Sequence, residues 1–110
     1  MSGLKVLFIC SRNRWRSLTA ENIFDGANGI EARSAGTEPG ARIRVTSGHL
    51  LWADIIFVME KKHLRRVQEK FAEAVADKKV VCLNIADDYE FMQPELVDLL
   101  QASVAPHLNS

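Results

Sequence analysis

VLFICSRNRWRS, Val6–Ser17, reads as a buried strand that runs straight into a basic loop. The apolar run Leu4–Cys10, interrupted only by Lys5, is of the kind found in strands covered on both faces of a parallel sheet. Arg12, Arg14 and Arg16 follow within six positions of Cys10. From Ser17 the pattern turns helical, with Leu18, Ile23 and Phe24 available for one face and Gly26 and Gly29 to stop it.

Outward from this stretch the same alternation repeats. Ile30–Ala35 reads as a second strand closed by Gly36, TEPGAR as a turn, and Thr46–Trp52 as a short helix. Asp54–Met59 is a third strand, and Lys61–Ala76 an amphipathic helix with Leu64, Val67, Phe71 and Val75 at helical spacing. Its remaining positions include Lys61, Lys62, Arg65 and Arg66, which read as a solvated face. Val80–Ile85 is a fourth strand. Pro94 suits a first helical position, with Leu96, Leu99, Leu100 and Val104 as the buried stripe. Strands alternating with helices imply an α/β fold, a four-stranded parallel sheet flanked by helices on both faces. Such sheets bind ligands at the carboxyl ends of their strands, and Cys10 stands at one.

The 110 residues fit one domain, 1–110. Net charge is zero, so nothing global draws the chain to nucleic acid or to an acidic membrane, and any anion affinity is local. Two cysteines make no disulfide framework and suit a reducing, cytoplasmic setting. The amino-terminal apolar run is too short for a signal-peptide core or a membrane span.

A loop passing from a strand end into a helix N-terminus directs successive backbone N–H groups at one spot, a cradle for a tetrahedral oxyanion. Ser11, Arg12, Asn13, Arg14, Trp15, Arg16 and Ser17 are its phosphate-binding candidates. Arg16 can grip two oxygens through its planar fork. The same field favours a thiolate at Cys10, making it a nucleophile. Ser17 can donate to that sulfur as it leaves, and Asn13 is a residue type that tolerates left-handed backbone.

VLFICSRNRWRS followed by TAENIF resembles the low-molecular-weight protein tyrosine phosphatases, whose loop reads C-x-x-N-x-x-R-S. Those positions are Cys10, Asn13, Arg16 and Ser17, and the resemblance continues through SAGT (Ser34–Thr37), ADIIFVM (Ala53–Met59) and an acidic pair with a tyrosine near the C-terminus. It implies a phosphate-binding loop between strand 1 and helix 1, and hydrolysis through a phosphocysteine with no metal or organic cofactor. Cys10, Arg16 and Asp87 become the expected catalytic residues, and Ser34 and Asn13 braces for the loop. The implied partner is a phosphotyrosine protein or a small aromatic phosphate ester.

Several positions depart from the family pattern. Arg12 replaces the usual glycine, and Trp15 stands where a second cysteine often protects the nucleophile. Cys82 lies in the fourth strand as a small core residue, so Cys10 is expected to over-oxidise readily. A Cys10–Cys82 disulfide found by mass spectrometry after mild peroxide would contradict that. In NIADDYEF, Asp87 occupies the general-acid position, Asp88 replaces the family's proline and remains the alternative acid, and Tyr89 supplies the aromatic. The chain is shorter than the family between SAGT and ADIIFVM, leaving Trp15 and Tyr89 as the expected substrate rim. His49, His63 and His107 lack metal-ligand spacing. Two other readings stay open: an arsenate reductase on the same fold, and a non-catalytic module that binds phosphate or phosphopeptides.

Overall fold

The computed structural model describes residues 3–108. Strand β1 (Lys5–Cys10) leads through the basic loop into helix α1 (Arg16–Phe24), and β2 (Glu31–Gly36) follows a short 3-10 turn. Helix α2 (Ser47–Trp52), β3 (Ile55–Val58), α3 (Lys61–Lys70), α4 (Ala72–Val75), β4 (Lys79–Cys82) and α5 (Pro94–Leu108) complete the order. All strands are parallel in the order β2-β1-β3-β4. β1 is therefore central, which accounts for its unbroken apolar run.

Alternation along β1 divides the core. Val6, Phe8 and Cys10 face α1 and α5, packing with Ala20, Phe24, Leu96, Leu100 and Val104. Phe8 stacks between Phe24 and Phe57 at 5.6 and 5.4 Å between ring centroids. Leu7 and Ile9 face the other way, toward Leu50, Val67 and Val75. No helix among the described residues is long and apolar enough to cross a membrane.

Three expectations need correction. The Lys61–Ala76 helix breaks at Phe71, whose φ −128°, ψ 39° is not helical. The break re-aims the chain so that Phe71 and Val75 both reach the Leu7/Ile9 side of the core. β4 ends at Cys82 rather than Ile85 because Asn84 adopts left-handed backbone at φ 57°. The ladder nevertheless persists, since Leu83 and Ile85 N–H donate to Val58 and Met59 carbonyls at 2.9 and 2.8 Å. On α5, Leu99 is exposed, so Leu96, Leu100 and Val104 alone make the buried stripe.

Candidate active site

The loop after β1 is held from outside. Carbonyls of Cys10, Ser11 and Arg12 accept from the N–H groups of Thr37, Glu38 and Arg42, each at 3.0 Å. The Asn13 carbonyl accepts from Arg42 Nε at 3.2 Å. In a planar trans peptide the C=O of one residue and the N–H of the next point in opposite directions. The N–H groups of Ser11, Arg12, Asn13 and Arg14 therefore face into the loop, away from the segment that holds it. The first N–H groups of α1 add to them, because no side chain caps that helix. Gly36 permits the close approach: a Cβ there would lie 2.6 Å from the Ser11 carbonyl oxygen.

Cys10 is buried at the floor of this cradle. Its Sγ lies 2.9 Å from Ser17 Oγ, and Asn13 Nδ2 donates to the same oxygen at 2.9 Å. An amide nitrogen only donates, so Ser17 accepts from Asn13 and keeps its own proton for the sulfur. Asn13 reaches this position through left-handed backbone, φ 56°.

Arg16 is 2% exposed, and its position depends on distant residues. Nη1 donates to Glu60 Oε2 and, at 2.8 Å, to the Ile85 carbonyl. Nε and Nη2 form the opposite edge of the guanidinium. Asp87 Oδ1 stands 3.7 Å from Nε, beside that edge. Partial burial pushes the Glu60 carboxyl up, but the hydrogen bond and charge of Arg16 outweigh it and hold the carboxyl below its ordinary value.

His63 completes the support. Glu60 N–H donates to Nδ1 at 3.0 Å, so the neutral ring carries its proton on Nε2 and donates to Ser11 Oγ at 2.9 Å. Burial, with the nearby charge of Arg16, lowers its pKa to about 4; Glu60 opposes that shift, and Lys62 and Arg66 add to it. The folded value lies below the unfolded one, so between about pH 6.5 and 4 the unfolded chain binds the proton first. Stability is full above that window and falls as pH drops through it, by at most roughly 3 kcal/mol. Urea unfolding across pH 4–7 should show this slope, and His63→Gln should flatten it. An unchanged slope in the variant would exclude His63 as its source.

A cavity of about 320 Å³ unites Cys10, Ser11, Arg12, Arg14, Trp15, Arg16 and Asp87, and adds Glu38 and Lys62. Asn13 and Ser17 lie buried just behind it. Asp88 is exposed and outside the lining. Tyr89, half-buried, packs against the core and does not line this cavity. Ser34 does not brace the loop either, because its hydroxyl donates to Glu21 and ties β2 to α1. Bracing comes instead from Thr37, Glu38 and Arg42, in the TEPGAR turn, whose sequence signals a turn but no contact with the loop. Glu60 and His63 were missed too, although their place just beyond the carboxyl end of β3 is a signal that could have found them. Cys82 is level with Ile9, two strands from β1, and packs on the face opposite Cys10. Two strand spacings of about 4.8 Å exceed disulfide reach.

Residues 5–51, less than half of the chain, match the family model for low molecular weight phosphotyrosine protein phosphatase. Among solved structures the chain is similar to the tyrosine phosphatase Wzb from Escherichia coli K30, at 21% identity and TM-score 0.77, covering 94% of this chain and 95% of that one. It is also similar to YwlE from Bacillus subtilis, at 20% identity and TM-score 0.70, covering 98% and 100%. The YwlE arginine phosphatase from Geobacillus stearothermophilus aligns at 19% identity and TM-score 0.67, covering 97% and 99%. No curated protein sequence matches significantly.

Proposed function

We propose that this chain, which resembles the low-molecular-weight phosphatases in fold and in its phosphate loop, is a cysteine-dependent phosphomonoesterase acting on phosphotyrosine in proteins. The observation that carries the reading is convergence: a thiol, four inward N–H groups, the Nε edge of a buried arginine and the Asp87 carboxylate beside that edge meet in a single cavity. The Cys10 thiolate attacks phosphorus, forming the S–P bond as the P–O bond breaks, while Asp87 gives its proton to the departing oxygen. Water then attacks the phosphocysteine with Asp87 as base, phosphate leaves, and the Ser17 hydroxyl steadies the released sulfur. The loop amides and Arg16 stabilise the charge of both transition states.

Several features favour an aryl leaving group. Trp15 is 47% exposed at the cavity wall and offers a flat face to a ring. Arg12, Arg14 and Lys62 line the mouth and would repel a guanidinium, which argues against a phosphoarginine substrate despite the fold shared with YwlE. Placement of Cys82 on the far face argues against arsenate reduction through an internal thiol relay. Both thiols are free, as suits a cytoplasmic enzyme.

The test compares two esters that differ in leaving group. Asp87→Asn should slow phenyl phosphate hydrolysis by about a hundredfold or more, and p-nitrophenyl phosphate, whose leaving group needs less protonation, by less. Asp88→Asn should leave both near wild type. The reverse pattern would transfer the acid role to Asp88.

A further inference from the structure

A second groove, of about 440 Å³, lies beside the active-site mouth and takes no part in the chemistry above. Its charged lining is Arg44, Arg66, Lys70 and one opposing Glu69; its apolar wall includes Val45, Val67 and Phe71. Among the described residues, none of the three cations is in an ion pair. Thr37 also lines the groove, and its hydroxyl oxygen is buried without a hydrogen-bond partner. With the chain neutral as a whole, this basic concentration is local.

Chain neighbours link the groove to the catalytic cavity. Thr37 N–H holds the Cys10 carbonyl at 3.0 Å, and the next residue, Glu38, lines the catalytic side. Along α3, Lys62 lines the catalytic cavity while Arg66 and Lys70 line the groove. These residues recur every four positions, so the cations step away from the mouth by about 6 and 12 Å. The connection from Gly36 to β3 is short enough to leave this side of α3 open. Gly36 closes on Ile43 and Val45 through hydrogen bonds of 2.8 and 2.9 Å before α2 begins.

We infer that this groove receives an acidic segment flanking the phosphorylated residue of the protein substrate. The inference rests on the phosphatase reading and names the substrate class that site prefers. An extended peptide advances about 3.3 Å per residue, so the matching carboxylates stand roughly two to four positions from the phosphoresidue. Arg66 and Lys70 meet them in turn, with Arg44 also lining the groove.

The experiment measures binding of fluorescent phosphotyrosyl peptides to Cys10→Ser protein, which holds them without turnover. One peptide series carries Glu at positions two to four on either side; its neutral counterparts carry Gln. The acidic series should bind roughly tenfold tighter at low salt, and the advantage should shrink as ionic strength rises. Adding Arg66→Glu and Lys70→Glu together should collapse the acidic-to-neutral ratio to one or below, whereas Arg66→Lys should retain it. Equal affinities for the two series, no binding of either, or a ratio that survives the double charge reversal would each overturn the inference. Equal affinities together with retention on anionic lipid vesicles would likewise overturn it, assigning the groove to a membrane surface. Absence of p-nitrophenyl phosphate turnover in wild-type protein would instead sink the catalytic reading, and the peptide ratio would still decide the groove.

Discussion

Cys10→Ser protein should lose turnover of p-nitrophenyl phosphate by at least about a thousandfold while still binding inorganic phosphate. The separation follows from the division of labour in the loop. Oxyanion binding rests on inward amides, the N-terminus of α1 and the edge of Arg16, none of which depends on sulfur. Attack rests on sulfur, because a serine hydroxyl, with its much higher pKa, is a far weaker nucleophile in the same place. Ser17 Oγ, 2.9 Å away, would be a hydroxyl facing a hydroxyl. Steady-state kinetics at pH 5–8 under reducing conditions, with calorimetric titration of phosphate, make the check. Turnover surviving in Cys10→Ser would mean direct attack by water and would remove the phosphocysteine. Wild-type protein that binds phosphate but turns over nothing would instead favour the non-catalytic binding module.

Arg16→Lys should reduce kcat/KM by about a thousandfold, although the charge is kept. Arg16 does two things at once. Nη1 is anchored to Glu60 and the Ile85 carbonyl, and the opposite edge is presented to the cradle. A lysine ammonium is one point charge that can serve either end, and the part-buried Glu60 carboxylate would draw it away from the oxyanion. Because the side chain is almost fully buried, thermal unfolding of the variant should be measured alongside. Glu60→Gln offers a milder test that leaves the guanidinium in place. It should weaken phosphate binding and raise KM while Cys10 remains reactive. Arg16→Lys activity within tenfold of wild type would show that charge alone suffices and that the anchored fork is not needed.

The loop was legible because its signals are local. A buried strand, a thiol, an arginine and a helix start lie within one dozen residues, and chain connectivity alone brings them together. Asp87 was legible as a position but not as a choice over Asp88. Two tertiary facts separate the neighbours: Asp87 lines the cavity and stands 3.7 Å from Arg16 Nε, and Asp88 does not line it. Tyr89 and Ser34 misled for the opposite reason, since an aromatic near an acid and a serine at a strand end carry no direction. Packing turns Tyr89 into the core, and Glu21 claims the Ser34 hydroxyl. The break at Phe71 carries neither glycine nor proline to announce it, and Phe71 and Val75 both pack on the Leu7/Ile9 side of the core.

By itself the sequence determined the α/β alternation, the burial of the first strand on both faces, and the placing of Cys10 and Arg16 on one loop between strand and helix. These depend on apolar runs, turn residues and a spacing of six, all fixed along the chain. Tertiary structure alone decided what holds that pair in place. Glu60 lies 44 positions beyond Arg16 and Ile85 lies 69 beyond it, while His63 lies 52 beyond Ser11. They meet because the adjacent parallel strands β1, β3 and β4 deliver their following loops to the same edge of the sheet. A buried guanidinium and a neutral imidazole need partners wherever the fold puts them, and hydrogen-bond satisfaction across that edge is a property of packing that no local pattern encodes.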